Sequence, residues 1–504
     1  MTSVRTDWIS RWAEQTPRAP AIIWEPTGQR LDYARCDELT GHIAAWLRDE
    51  WSVGAGDRVA VLGRNSLEHA LLLFAAQRAG FVLVPVNFRL TAPEIAHVLR
   101  DCTPRVMFAS SDHHAELAKL DAGACEIAPL EDLLERATSH SASFRAPDLG
   151  LDDPAMILYT SGTTGAPKGA IISHGMLFWN AVNTAMRLDL TSSDVTMNAA
   201  PLYHTGGWNV LSTPLWHRGA CVVMMRDFDP TRVLELCTRH RLTIVWGVPT
   251  MMRMLAEQST FGADTLETVR YALVGGEPMP AELIETWQDV DVPIRQGFGM
   301  TEVGPNCFSL PEEDAIRKIG SIGTPNFYID VELRDDDGVA VPANEPGEGE
   351  LWMRGPVVTT GYWGNPSATA RAIDAGGWFR TGDVLRRDDQ GYYYVIGRKK
   401  EMYISGGENV YPAEVERALL EHDAIEQAVV VGVPDERWGE TGACFLVLTP
   451  NTQLSSDVVR AFARERLAGF KVPRHVFIQS ELPVGASGKI DRLALARRAR
   501  ASVT

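Results

Sequence analysis

The 504-residue chain has little cysteine and no pattern in the little it has. Its seven cysteines, Cys36, Cys102, Cys125, Cys221, Cys237, Cys307 and Cys444, are odd in number, scattered, and form no CxxC pair. That argues against a disulfide framework or a zinc site and predicts small buried hydrophobes. Also missing is any run of about 18 or more uninterrupted apolar residues, so no membrane-spanning helix is expected. The opening stretch MTSVRTDWISRWAEQTP lacks the apolar core of a secretory signal. Positive charge is in deficit: 48 Lys+Arg face 65 Asp+Glu, a formal charge of −17, which argues against non-specific nucleic-acid binding as the main activity. The 43 glycines follow no fixed period and 45% of the chain is hydrophobic, so collagen-like and disordered chains are out. A globular cytoplasmic protein of roughly three domain-sized units is expected.

What the chain does have is alternation. Val59–Leu62, Val82–Val86, Ala155–Thr160, Val195–Ala199, Cys221–Met225, Leu242–Trp246 and Tyr271–Val274 are short apolar, often β-branched runs, several of them separated by helix-length segments. Near-continuous apolar strands alternating with helices predict α/β architecture with buried, largely parallel sheets. From about 320 the texture turns to short strands punctuated by Gly and Asp, an antiparallel barrel or meander. After Gly397 a compact α+β unit of about 100 residues follows. No internal repeat or low-complexity tract interrupts this order.

The densest chemical signal is Tyr159–Gly169, YTSGTTGAPKG, in which a strand runs into a loop with three glycines, four hydroxyl residues and Lys168. Glycines let backbone N–H groups wrap an anion, hydroxyls add donors, and the lysine adds charge, so the loop reads as a polyphosphate cradle. It is not a Walker A loop, and neither HExxH, a helix-opening GxGxxG nor GxSxG is present.

In order along nearly the whole chain, YTSGTTGAPKG (159–169), APLYHTGG (200–207), LVGGEPMP (273–280), QGFGMTE (296–302), RTGD (380–383), IGRKKEMYISGGENVYPAEVE (396–416) and PVGASGKIDR (483–492) resemble the motifs of the adenylate-forming superfamily of AMP-forming acyl-CoA synthetases and aryl-CoA ligases. The resemblance implies a large N-terminal α/β domain over 1–398, built of two stacked, mostly parallel sheets plus a small β-barrel at about 320–397. A mobile α+β C-terminal domain over 399–504 would follow. It also implies the reaction acid + ATP + CoA → acyl-CoA + AMP + diphosphate, with Mg²⁺, passing through an acyl-adenylate. Two alternatives stand beside it: an adenylate former that does not use CoA, and a nucleotide-binding partner protein without catalysis. The presence of Lys168, Glu302, Asp383, Arg398 and Lys489 together disfavours the latter.

By that resemblance, Lys489 is the catalytic lysine of adenylation, and Lys168 acts with Thr160, Ser161, Gly162, Thr163, Thr164 and Gly165 on the ATP phosphates. Thr301 contacts the α-phosphate, and Glu302, with Thr164, holds Mg²⁺. Gly276, Glu277, Gly297, Phe298 and Gly299 lie beside adenine, while Asp383 and Arg398 take the ribose. Lys400 aligns with the hinge. Ser405, Gly406 and Gly407 line the pantetheine path, and Trp438, Phe470, Lys471 and Arg474 meet the CoA nucleotide, unless the two bases are simply solvated. His204 lies between the acyl pocket and the thiol path, orienting the carboxylate rather than acting as general base.

The acyl pocket is expected from His204, Gly207, Trp208, Trp246, Gly275, Met300 and Val303 and their neighbours. Apart from His204 and Glu302 these stretches carry no ionisable side chain, so a charged tail would enter unpaired. A neutral, apolar acid tail is expected, with Trp208 and Trp246 favouring an aromatic ring or a short-to-medium chain, or else serving as core residues. The partners are a small carboxylic acid, ATP and CoA. Oligomeric state stays open, a homodimer among the options.

Overall fold

The computed structural model describes residues 5–113, 117–123, 125–140, 143–160, 167–485 and 489–503. Its contacts divide the chain into two compact units, Met1–Val331 with Met353–Phe379, and Glu332–Trp352 with Arg380–Thr504.

The larger unit is built on two sheets. One runs in the order Glu126–Pro129, Val106–Ala109, Arg58–Leu62, Val82–Val86, Pro154–Thr160, Lys168–Ser173. Its first five strands are parallel and the last pairs antiparallel. The other carries Pro20–Trp24, Cys221–Met224, Val195–Asn198, Ile244–Gly247, Tyr271–Val274 and Ile294–Met300 as parallel neighbours. Antiparallel strands, Gln29–Asp32 on one side and Gly304–Leu310 then Ser321–Pro325 on the other, extend it.

Period-two alternation decides what each strand buries. Val59 and Val61 face the main core with helices Tyr33–Trp51 and Leu67–Ala79 and with Ile22, Val222 and Ile244 of the second sheet. Ala60 and Leu62 face the opposite layer, against helix Ala92–Cys102. Helices thus separate the two sheets and each sheet is buried on both faces, which is why the strands read as continuous apolar runs. Helix ends obey local chemistry: Ser173 caps Met176 N–H, Asp229 caps Arg232 N–H ahead of Pro230, and Gly80 closes Leu67–Ala79 in the left-handed region.

The smaller unit holds most of a ribbon, Asp330–Arg334, Gly347–Arg354, Phe379–Arg387, Tyr393–Arg398, whose last two strands pair antiparallel, and a separate sheet of Glu408–Val410, Tyr403–Ser405, Gly439–Leu448 and Ile425–Asp435, with His475–Ile478 parallel to Gly439–Leu448. This sheet too is covered on both faces. Val429, Val431 and Val433 pack under Leu482, Leu495 and Ala499, while Val430, Cys444 and Leu446 pack with Val415, Leu419 and Val459.

All seven cysteines are free, six buried and Cys125 half-buried. Among the described residues no helix is long and apolar enough to cross a membrane.

Candidate active site

The strand Pro154–Thr160 and its partner Lys168–Ser173 form a hairpin whose mouth pairs Thr160 with Lys168. The loop between them, with the predicted Ser161, Gly162, Thr163, Thr164 and Gly165, lies outside the described residues. At the mouth, Thr160 Oγ1 donates to Glu302 Oε1 at 3.4 Å, and Tyr362 Oη donates to the same oxygen at 3.1 Å. Lys168 Nζ stands 5.4 Å from the centre of the Tyr362 ring. Glu302 is held by its main chain as well, its carbonyl accepting Thr359 N–H at 2.7 Å. Residues 361–363 are stitched to the hairpin, with Ile171 N–H donating to Gly361 O and Trp363 N–H to Gly169 O. Burial, then the Glu302 carboxylate, push the Tyr362 phenol well above its ordinary range, so it stays a proton donor. A cation, a carboxylate, a hydroxyl and a phenol from three separated segments therefore meet at the hairpin mouth.

Tyr362 was not anticipated. It sits in GYWGNP, which carries no charge and no recognisable spacing. Its only signal is an aromatic pair, Tyr362-Trp363, between glycines.

Among the described residues no group of three or more His, Cys, Asp or Glu gathers to hold a metal ion. A hard divalent cation at Glu302 would take one carboxylate from the protein and its remaining ligands from phosphate oxygens and water. That donor set fits Mg²⁺.

The strands Tyr271–Val274 and Ile294–Met300 end beside each other, and a Cβ at Gly275 would sit 3.5 Å from Gly297 O. Gly276 has φ +89°, a conformation that opens the chain away from the strand. Glu277 is exposed and Phe298 half-buried, edge-on to Phe308. At Gly299 a Cβ would stand 2.3 Å from Gly304 O, so only glycine lets the Thr301–Val303 turn fold back. Met300 and Thr301 are half-buried, but Val303 is fully buried.

The His204 segment hangs on buried asparagines. Asn65 accepts Leu202 N–H at 2.9 Å and donates to Ala200 O, Asn198 donates to Gly207 O, and Asn180 and Asn306 donate to Asn209 O. These residues fix a loop whose own sequence is mostly small or apolar, and single asparagines in core-like runs gave no warning of it. His204 is half-buried at the N-cap of helix Thr205–Asn209, its ring 4.5 Å from that of Tyr203. Gly207 is glycine for close backbone packing, since a Cβ would stand 2.6 Å from Pro201 O. Both tryptophans belong to the main core. Trp208 is fully buried in the main core with its Nε1 donating to Leu202 O. Trp246 is 8% exposed, and its Cη2 stands 3.6 Å from where a Cβ of Gly206 would lie.

In the smaller unit Asp383 and Arg398 are cross-strand partners, and Arg398 Nε stands 2.7 Å from Asp383 Oδ1. The carboxylate is buried while the guanidinium is largely exposed. Burial raises the Asp383 pKa above the aspartate range, with Arg398 opposing. Lys400 lies two residues on. The protein around its amine, then the cations Arg398 and Lys489, lower its pKa. Lys489 itself is exposed beside a loop closed by the Val484–Ile490 bridge. The following helix is clamped by Arg492, whose two Nη atoms stand 2.6 and 2.8 Å from the oxygens of buried Glu416.

The residues predicted for CoA divide in two. Gly406, at φ +63°, packs under the Trp438 ring, where a Cβ would stand 2.6 Å from Cε3, and its N–H donates to Trp438 O. Ser405 is buried and Gly407 has φ +89°. Trp438 is 40% exposed with Arg437 over its ring. Arg474 is tied at 2.5 Å to Asp435, the carboxylate that caps Trp438 N–H. Lys471, by contrast, spans both oxygens of Glu414 at 2.6 and 2.8 Å, with its amine above the Phe470 ring.

Residues 9–363 match the family model for AMP-binding enzymes, and residues 414–489 match that for the AMP-binding enzyme C-terminal domain. The chain belongs to the AMP-binding enzyme family. Over 493 residues it is 41% identical to a feruloyl-CoA synthase of Amycolatopsis sp, covering 97% of this chain and 98% of that one. Over 500 residues it is 37% identical to indoleacetate–CoA ligase of Aromatoleum aromaticum, covering 97% and 96%. It superposes with TM-score 0.88 and 31% identity on o-succinylbenzoate CoA synthetase from Bacillus subtilis in complex with its acyl-adenylate intermediate, covering 98% of each chain. This member of the adenylate-forming superfamily is an AMP-forming acid–thiol ligase with a large α/β part and a smaller C-terminal one.

Proposed function

We propose that this ligase joins an aromatic carboxylic acid with a neutral, apolar tail to CoA in two steps at one site. The acid's carboxylate oxygen attacks the α-phosphorus of ATP and pyrophosphate leaves; the CoA thiol sulfur then attacks the acyl carbon and AMP leaves. Two anions must meet in the first step, so positive charge and oriented donors are needed where charge develops. The observation that carries this reading is the convergence of Thr160, Lys168, Glu302 and Tyr362 at the hairpin mouth. There Lys168 would meet the outer phosphates and Glu302 would hold Mg²⁺, which when bound neutralises phosphate oxygens. Lys489, an exposed ammonium on a short closed loop, would bridge carboxylate and α-phosphate. Asp383 and Arg398 would take the ribose.

The second step needs different groups, and the second reading of the 399–504 region follows: it turns about Lys400 and exchanges Lys489 for the Ser405–Gly407 segment. The exposed Trp438 face and Arg474 would then meet the CoA nucleotide end. Lys471 and Arg474 contribute less charge than free bases would, because Glu414 and Asp435 already pair with them.

Support for an aromatic acid comes from the stretches 204–209 and 246–250, which carry no ionisable side chain besides His204, and from two relatives whose names specify feruloyl and indoleacetate substrates. Cinnamic, indoleacetic, benzoic, aliphatic and tail-carboxylated acids, assayed by CoA-dependent AMP release, test it. Aromatic monocarboxylates should lead, and acids carrying a second carboxylate on the tail should trail by about 100-fold or more, the cost of an unpaired buried charge. Pyrophosphate exchange without thioester formation, or preference for a dicarboxylate, would overturn the reading.

A further inference from the structure

A cavity of about 360 Å³ opens on the larger unit between helix Pro230–His240 and the turn that joins strand Pro20–Trp24 to strand Gln29–Asp32. It shares no residue with the hairpin mouth or the His204 segment. Its charged lining is Arg30, Arg232, Arg239, His240 and a single carboxylate, Glu25. That carboxylate is already taken: Arg232 Nε stands 2.9 Å from Glu25 Oε1, and Arg232 Nη2 meets the same oxygen. Arg30 and Arg239 form no ion pair among the described residues. Both reach His240, whose pKa is lowered by burial first and then by these two guanidiniums. Arg239 and His240 fall in the last turn of their helix, where cations offset the negative end of the dipole. The dipole does not account for Arg30, which the neighbouring strand pair brings to the same cavity. In a chain of net charge −17, cations gathered around a hollow whose one carboxylate is spent repel one another until an anion enters.

We infer that this cavity binds inorganic diphosphate, the anion that the ligase reaction releases, at a place separate from the hairpin mouth. Two unpaired guanidiniums match two phosphoryl groups, each planar fork donating a pair of N–H bonds to phosphoryl oxygens. Thr27 adds a hydroxyl, since its Oγ1 accepts Gln29 N–H at 3.3 Å and its own proton is left to give. No Phe, Tyr or Trp lines the cavity, so a nucleobase would find no ring to stack on and a nucleotide gains nothing over its phosphates. Glu25 is tied to Arg232, so the site offers Mg²⁺ no free carboxylate, and the metal-free anion is the species recognised.

The test is a calorimetric titration of the full chain with sodium diphosphate in EDTA, with and without saturating ATP to fill the nucleotide site. One equivalent of diphosphate should bind whether or not ATP is present. In the double variant Arg30→Gln/Arg239→Gln that equivalent should weaken by about 100-fold or more, the loss of two charged hydrogen-bond partners, while CoA-dependent AMP release stays at the wild-type rate. Sulfate, with one tetrahedral group for the two guanidiniums, should bind the wild-type site at least about tenfold more weakly. Binding that ATP abolishes overturns the inference, as does binding that survives in the double variant or sulfate held as tightly as diphosphate. If the double variant loses both AMP release and its melting transition, Thr27→Val takes its place. Loss of that hydroxyl alone should weaken the ATP-independent equivalent by about threefold or more, and an unchanged isotherm overturns the inference.

Discussion

The hairpin mouth and the His204–Trp246 wall lie in one unit of the protein and are built on opposite principles. At the mouth the Thr160 and Tyr362 hydroxyls both bond Glu302, and three segments far apart in sequence supply one cation, one carboxylate and two hydroxyls. Around His204 the backbone is held by buried asparagines, while Trp246 Nε1 and Tyr203 Oη have no hydrogen-bond partner among the described residues. The difference teaches that one region is held by bonds between hydroxyl and carboxylate side chains, whereas the other takes its shape from amide side chains that bind backbone.

The sharpest way to break the comparison is to test the packing behind the wall. Trp208→Ala should cost about 3–5 kcal/mol of stability, read from the urea midpoint, because a fully buried ring and its bonded N–H are lost together. A loss below about 1 kcal/mol would mean that Trp208 is not the packed residue described. On the opposite side, Lys489→Ala should lower ATP–pyrophosphate exchange on the order of 10²–10³-fold while thioester formation from preformed acyl-adenylate changes little. Exchange at the wild-type rate would take this residue out of the first step. Tyr362→Phe removes one of the two hydroxyls on Glu302 and should lower the adenylation rate by about tenfold, with a raised Mg²⁺ requirement. Equal activity would show that the mouth tolerates an incomplete network as the wall does.

The smallest effect concerns pH. Burial raises the Asp383 pKa, so between the ordinary aspartate value and the raised one the folded protein keeps a proton that the unfolded chain has released. The contribution of this group to stability is therefore present below the ordinary value and lost as pH rises through the folded one, opposite in sign to common acid unfolding. Asp383→Asn should flatten that slope in denaturation midpoints taken across mildly acidic pH. A steeper slope would show that the Arg398 contact outweighs burial.

Strand runs were legible because both faces of each sheet are buried. Val82–Val86 and Tyr271–Val274 coincide with the observed strands, and most of the others end within a residue or two. Lys168 and Glu302 of the hairpin mouth were legible by type and order, since each is the charged residue of a glycine-containing motif. Tyr362, Asn65, Asn198 and Asn306 did not stand out, since a phenol or an amide acquires its role only from what folding sets beside it. The same holds for Lys471 and Arg474, alike in sequence but bound to different carboxylates, Glu414 and Asp435.

By itself, then, the order of residues determined the α/β layering and the family, because period and motif order are local properties of a chain. Only the tertiary structure decided that Trp208 and Trp246 share the main core, and which backbone groups the asparagines hold. Those are questions of what lies within a hydrogen bond's reach, and residues at 206 and 246 meet only after the strands between them have been laid side by side.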